Sequence, residues 1–276
     1  MRIKLGLARS AAFLAALGLA GAAAEELTFD DPRGDDKGPG TYTYPTDAVY
    51  KPGSFDVTQV RVKQDGDEIT VEVDVAAKIE DPWNSKEWGG NGFSLQFAQL
   101  YVDTDHKPGS GHTDALPGIN VRFAPEDAWD KVVLLSPQGK TRLSSEVGAK
   151  APSVKGNVIV PRVTRARGKT LTAIFSKGDL GADIKGCGFQ LIMQSNEGYP
   201  DKADLLTRKV NEIGGQHRFG GGNDWECDPH VIDLLAGGAK GGSDEVKAQA
   251  EALKYTCDPK GDLSKSTLAT VPMIRR

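Results

Sequence analysis

The chain has little of what marks most enzymes and membrane proteins. Its 276 residues include only three cysteines, three methionines and four histidines, and aromatic residues make up 7%. It has no GxSxG elbow, no HExxH metal motif and no Walker phosphate loop, and each of those chemistries needs its residues at a fixed spacing. HRFGGGND, from His217 onward, is rich in glycine but neither follows a strand nor opens a helix, as a phosphate-binding loop does. CxxCH is missing, which excludes covalently attached c-type haem. The longest apolar stretch, residues 10–24, falls short of the roughly 20 residues that cross a bilayer. Acids are plentiful at 38 positions, so carboxylates close in sequence arise from composition alone and do not select a glycosidase pair.

The chain begins with Arg2 and Lys4, continues through an apolar run broken by Arg9, and reaches Ala22, Ala23 and Ala24 just before Glu25 and Glu26. This pattern predicts a secretory signal peptide over residues 1–24, and with it export to the periplasm or beyond the cell. No cysteine follows the expected cleavage site, which argues against a lipid anchor. Loss of the leader's three cations takes the formal charge from −4 to about −7, a balance that argues against nucleic acid as a partner. About 250 residues remain, enough for one large β domain. In an exported chain three cysteines allow one internal disulfide. Cys227 and Cys257 are the preferred pair, since each sits in a CDP tripeptide and the bond would clip the C-terminal segment to a glycine-rich loop; Cys187 stays open as an alternative partner.

Phe55, Val57, Val60 and Val62, then Ile69, Val71, Val73 and Val75, form two apolar runs on either side of QDGDE and predict a β-hairpin. Further strands are expected at residues 93–102, 119–123, 132–135, 158–163, 171–175 and 189–193. Short strands between Gly, Pro, Asn and Asp turns point to an antiparallel β-sandwich with immunoglobulin-like layering. Residues 139–155 show no apolar period and are expected as a mobile surface loop. DEVKAQAEALKY, residues 244–255, predicts a helix capped by Ser243, with Val246, Ala250 and Leu253 inward. Residues 236–276 are therefore expected as a helical extension packed on a single sandwich domain that starts at residue 25.

Three segments carry candidate binding chemistry. In FDDPRGDDKGPGTYTYPTDAVYKPGSF, residues 29–55, Asp30, Asp31, Asp35 and Asp36 surround Gly34 and Gly38, a glycine-turned set of hard oxygen donors that suits calcium; the other reading is a solvated acidic loop. Tyr42 and Tyr44 alternate in the same segment, as if both rings faced one side as a platform, and packing on the sandwich is the competing explanation. DPWNSKEWGGNG, residues 81–92, places Trp83 and Trp88 beside polar groups including Asn91. A pyranose offers an apolar CH face to such rings and hydroxyls to such polar groups, so these are the candidate carbohydrate contacts. Trp129 reads as core, and Trp225 as a neighbour of the disulfide. In the second acidic loop, YVDTDHKPGSGHTDALPG, Lys107 and Pro108 stand where an EF-hand needs an oxygen ligand and a glycine, so that motif is rejected; His106 and His112 match no short zinc motif.

GDDKGPGTYTYP, KPGSFDVTQVRV, DPWNSKEWGGNGFSLQ, YVDTD, LPG and HRFGGGNDWECDPHVIDLLA occur in that order over roughly residues 27–235, with a weaker echo at LATVPMI. Together they resemble the C-terminal DOMON-like module of glucodextranase-type enzymes, a family related to family 9 carbohydrate-binding modules. The resemblance implies a β-sandwich and binding of sugar or a cell surface, with no catalytic residue. Taken with the leader and the acidic loop, it leads to the expectation of an exported, non-catalytic module for an α-glucan or cell-surface polysaccharide, in which the loop's acids, not the resemblance, suggest a structural calcium. Two alternatives stand beside it. Some DOMON-like sandwiches hold a b-type haem, for which Met193, in FQLIMQS, with His217 or His230 would supply the ligands. The third reading is a periplasmic or cell-surface module that binds a protein partner.

Overall fold

The computed structural model describes residues 24–276. The expected leader, residues 1–24, lies outside the described residues apart from Ala24. Five strands form one antiparallel sheet: β1 (Glu25–Asp30), β2 (Val57–Asp65), β3 (Glu68–Val75), β8 (Val163–Arg167) and β9 (Thr170–Ser176), in the order β1-β2-β3-β9-β8. The second sheet runs β11-β10-β4-β6-β7, from β4 (Gln96–Asp103), β6 (Lys131–Leu135), β7 (Val158–Ile159), β10 (Gly188–Ser195) and β11 (Asp233–Leu234). Of its pairings only β6 with β7 is parallel, and β13 (Ile274–Arg275) adds to β10. A short parallel pair joins β5 (Val121–Phe123) to β12 (Ala269–Val271). The protein is a β-sandwich, as its strand spacing predicts.

The expected hairpin is β2–β3, turned at Gly66 with φ +59°, a left-handed value that glycine adopts freely. β3 alternates cleanly, with Ile69, Val71, Val73 and Val75 buried. β2 does not, because Val57 and Val60 are an odd number apart. A bulge reconciles them: Val57 pairs with Val75 and Gln59 with Asp74, so Thr58 is the extra residue and both valines face inward.

Val60, Val71, Leu100 and Leu191 belong to one apolar core, and Phe97, Tyr101, Ile192 and Trp129 to a second. β4 and β10 contribute to both, so every residue in them is buried, which explains why QFAQLYVD and GFQLIMQS do not alternate.

Three expectations need correction. Residues 139–155 are not a mobile loop: Lys140–Lys150 is a helix, α1, followed by a 3₁₀ turn over Pro152–Asn157. Leu143, Val147 and Ala151, four residues apart, are its buried stripe in the second core. The expected strand at 158–163 divides into β7 and β8, which lie in different sheets, because Pro161 between them has no N–H to donate to a ladder. A four-residue helix, α2 (Lys177–Leu180), follows β9, and the later helix, α3 (Ser243–Ala252), has Gly242 rather than Ser243 at its N-cap. Of the residues expected inward on this helix, Leu253 is buried and Ala250 half-buried, but Val246 is exposed, and Glu245 and Gln249 turn inward in its place. Gln249 is buried because it bridges backbone groups, accepting from the Leu234 N–H at 3.0 Å and donating to the Asp35 carbonyl at 2.5 Å.

Cys227 and Cys257, the pair preferred for their CDP tripeptides, are bonded, and Cys187, the alternative partner, is a buried free thiol. Among the described residues no helix is long and apolar enough to cross a membrane. The disulfide closes a loop with a sequence separation of 30. On chain-entropy grounds a Cys227→Ser, Cys257→Ser variant should lose about 3–4 kcal/mol of stability. Urea unfolding of the variant against the oxidised parent checks this.

Candidate functional site

The tryptophan loop is held from beneath by one acid. The Asp81 carboxylate accepts from the Ser85 N–H at 2.9 Å and the Ser85 hydroxyl at 2.8 Å, and also takes the Ser94 hydroxyl. These bonds nucleate a 3₁₀ turn over Ser85–Trp88, and the Trp88 indole N–H closes back on the Trp83 carbonyl at 3.1 Å. Asn91 fixes the other end: its amide donates to the carbonyls of Ser136 and Gln138, at 2.8 and 2.9 Å, just beyond β6. Its contribution in this structure is to clamp the loop.

Held in this way, Trp83 and Trp88 stand 40% and 43% exposed, unusual for so large an apolar side chain. They wall a pocket of about 280 Å³. Tyr199, 94% exposed, also lines it, and Ser94, Gln138, Asn196, Glu197, Arg142 and Arg208 supply polar groups. Arg208 is held in place, with Nε 3.3 Å from Glu197 and Nη1 donating to the His217 carbonyl at 2.9 Å. Arg142 lies 6.0 Å from the Tyr199 ring centre. Tyr199, Glu197, Arg142 and Arg208 were not singled out in the sequence. A signal for Tyr199 was present, since SNEGYP, residues 195–200, has the same polar, glycine-bounded character as the tryptophan loop.

Tyr42 and Tyr44 do turn to one side, but that side is the interior. Tyr42 is 3% exposed, with its hydroxyl on the Pro229 carbonyl. The Tyr44 ring packs on Phe219 at 4.9 Å and Phe55 at 6.0 Å, and its hydroxyl donates to Asp36. The expected platform is therefore a packing layer. Gly38 makes room for it, because a Cβ there would lie 2.4 Å from the Tyr42 ring.

The acidic part of the same loop meets acids from far along the chain. Oxygens of Asp31, Asp35 and Asp233 all lie within 4.8 Å of one another, and all three residues are buried. Asp56 and Glu245 are buried close by. Both oxygens of Asp31, and one each of Asp35, Asp56 and Glu245, have no hydrogen-bond partner. Burial, followed by the charges of Asp35, Glu245 and Asp56, holds the Asp31 carboxyl well above the usual range. Burial likewise raises Asp233, and pushes Asp35 up to about 7 and Asp56 up to about 6. Of the four acids expected here, Asp31 and Asp35 join the cluster. Asp36 borders it and is engaged by Tyr44. Asp30 is exposed and accepts from Gln59 at 2.8 Å. Asp56, Asp233 and Glu245 were missed, although an acid inside the apolar run VIDLL was a sign of a buried carboxylate.

A second group, Asp103, Asp105 and Asp130, differs in kind. Arg275 donates to Asp103 at 2.5 Å, the His106 N–H donates to it at 2.8 Å, and Asp130 accepts from the N–H and hydroxyl of Thr104. Its oxygens are largely satisfied by protein. Of the residues considered for haem, Met193 is fully buried in the larger core. His230 is wholly buried, which with the Lys209 charge holds its pKa down at about 3, and its Nδ1 accepts from the Val210 N–H at 3.2 Å. His217 packs between Tyr50 and Trp83.

A family model described as the C-terminal binding module, SLH-like, of glucodextranase matches residues 27–273, nearly the whole chain. The chain belongs to that family. No curated protein matches it.

Because Asn91 satisfies two carbonyls at once, Asn91→Ala should cost about 1–3 kcal/mol. Faster amide exchange over residues 83–92 should accompany the loss. Unchanged stability and exchange would show that the clamp is not needed.

Proposed function

We propose that the protein is an exported, non-catalytic carbohydrate-binding module that takes an α-glucan or cell-surface polysaccharide in the pocket between Trp83, Trp88 and Tyr199. The observation that carries this reading is three exposed aromatic side chains, Trp83, Trp88 and Tyr199, lining one pocket together with several polar groups, in a chain of a binding-module family. The rings offer stacking faces to the CH surfaces of a sugar. Asn196 and Gln138 bring neutral amides to the lining, and Arg208 and Glu197 bring charged groups already oriented by each other. A pocket of about 280 Å³ is at the small end of ligand sites, of order 300–1,000 Å³, so it suits a short stretch of glycan. Membership of a family defined as a binding module supports a role without catalysis. The Cys227–Cys257 bond supports an oxidising, exported location.

The carboxylate cluster belongs to the same proposal as a calcium site. The donors are all oxygens, which suit a hard cation, and Asp31, Asp35, Asp56, Asp233 and Glu245 bring more acid together than burial tolerates without a counter-charge. These five residues would hold the ion, whose charge would offset their repulsion and tie the opening loop to β11 and α3.

Two outcomes are expected. On an array of soluble and insoluble glycans the chain should bind selectively, and Trp83→Ala with Trp88→Ala should lower affinity at least tenfold, or about 1.4 kcal/mol, without unfolding the protein. Retained affinity would move the site elsewhere, and a blank array would favour a protein partner. Calcium at 100 times its dissociation constant should add about 2.7 kcal/mol of stability, which for a domain of this size raises Tm by roughly 5–10 °C. Asp31→Asn with Asp233→Asn should abolish that rise.

A further inference from the structure

We infer that cation occupancy of the carboxylate cluster sets the position of Trp83, so that the metal regulates the aromatic pocket through the opening loop. This rests on the two-part reading above and names the link between its parts. The loop between β1 and β2 supplies acids from both ends, Asp31 and Asp35 at its start and Asp56 at its close. Without a counter-charge these groups either repel one another or take up protons, and in neither state do they draw the two ends of the loop together as a shared cation would. A cation bound among them selects the closed loop, and a ligand shifts an equilibrium by its differential affinity for the two states.

What the closed loop carries is Tyr50. Its ring stacks on Phe55 at 6.3 Å, meets Phe219 edge-on at 6.5 Å, and stands 6.1 Å from Trp83 and 6.0 Å from His217. The connection back to the acids is direct: Tyr44 donates to Asp36 and accepts from the N–H of Phe55, the residue before Asp56, at 3.2 Å. A second route runs through backbone. Thr43 exchanges hydrogen bonds with Gly220, and the N–H groups of Thr46 and Asp47 donate to Gly215 and Gln216 at 3.1 and 3.0 Å. The next residue, His217, touches Trp83 and holds Arg208 through its carbonyl. One loop therefore has acids at its ends and the support of two pocket residues in its middle.

The test uses the chain labelled with 5-fluorotryptophan, whose four tryptophans give separate fluorine resonances assigned by single Trp→Phe variants. Calcium chloride is the probe, and its binding is followed in parallel by calorimetry. The Trp83 resonance should shift or sharpen with the calorimetric midpoint, while Trp129, in the second core, stays still. Tyr50→Leu should keep calcium binding and lose the Trp83 response. Tyr44→Phe, which removes one hydroxyl and keeps the ring, should weaken the response, and it serves if the leucine variant does not fold. Calcium binding with an unmoved Trp83, or an undiminished response in both variants, would overturn the coupling and leave the calcium site standing. A flat calorimetric trace would overturn the calcium site and the coupling together.

Discussion

Six acids, Asp31, Asp35, Asp36, Asp56, Asp233 and Glu245, are buried around the ends of one loop, and the organisation of this side of the sandwich follows from how their charge is met. An ionised carboxylate out of water is costly unless paired, and four of these groups keep an oxygen with no partner at all. Protein groups meet part of the need: Tyr44 donates to Asp36, the Val57 N–H to Asp233 at 2.7 Å and the Lys240 N–H to Glu245. What they leave unmet is the observation behind the proposed cation site. Gln249 works beside them, tying β11 to the opening loop through backbone groups, which is why α3 presents polar residues to the interior.

The aromatic pocket answers the opposite problem, that of keeping large apolar rings in water. Asp81 and Asn91 fasten the tryptophan loop at both ends, and Tyr50 and His217 support Trp83 from behind. Rings held this way lose little side-chain freedom if a ligand stacks on them, which is what the proposed sugar site requires. The two-sided burial of β4 and β10 gives the loops a stiff base, since β4 opens just after Ser94 and Leu95, and β10 ends at Ser195 beside Asn196 of the pocket.

Much of this was legible in the residues. The alternation in β3 and the Gly66 turn led to the hairpin because both depend on local spacing, whereas the CDP tripeptides only made Cys227–Cys257 the preferred pair and left Cys187 open until the fold showed it free. Trp83 and Trp88 stood out because a polar, glycine-bounded segment gives a tryptophan little to bury against. The losses were non-local. Asp56, Asp233 and Glu245 are brought to Asp31 only by folding, and no spacing links them. The apolar pattern placed Leu253 of α3 correctly and Val246 wrongly, because the burial of Gln249 is decided by hydrogen bonds to Leu234 and Asp35 and not by apolar spacing. α1 was overlooked since three small or medium residues, Leu143, Val147 and Ala151, make a thin stripe in a polar segment. Tyr42 and Tyr44 show the limit of alternation, which reports that two rings share a side and not which side that is.

The central claim is that the buried acids of the opening loop form a cation site on which the module's binding face depends. A crystal structure of the protein grown with calcium, with anomalous difference density collected at long wavelength, tests it most directly. The account predicts a peak enclosed by Asp31, Asp35 and Asp233, with Asp56 or Glu245 completing the oxygen shell. A map with no peak there, or with its strongest peak at Asp103, Asp105 and Asp130, would contradict it.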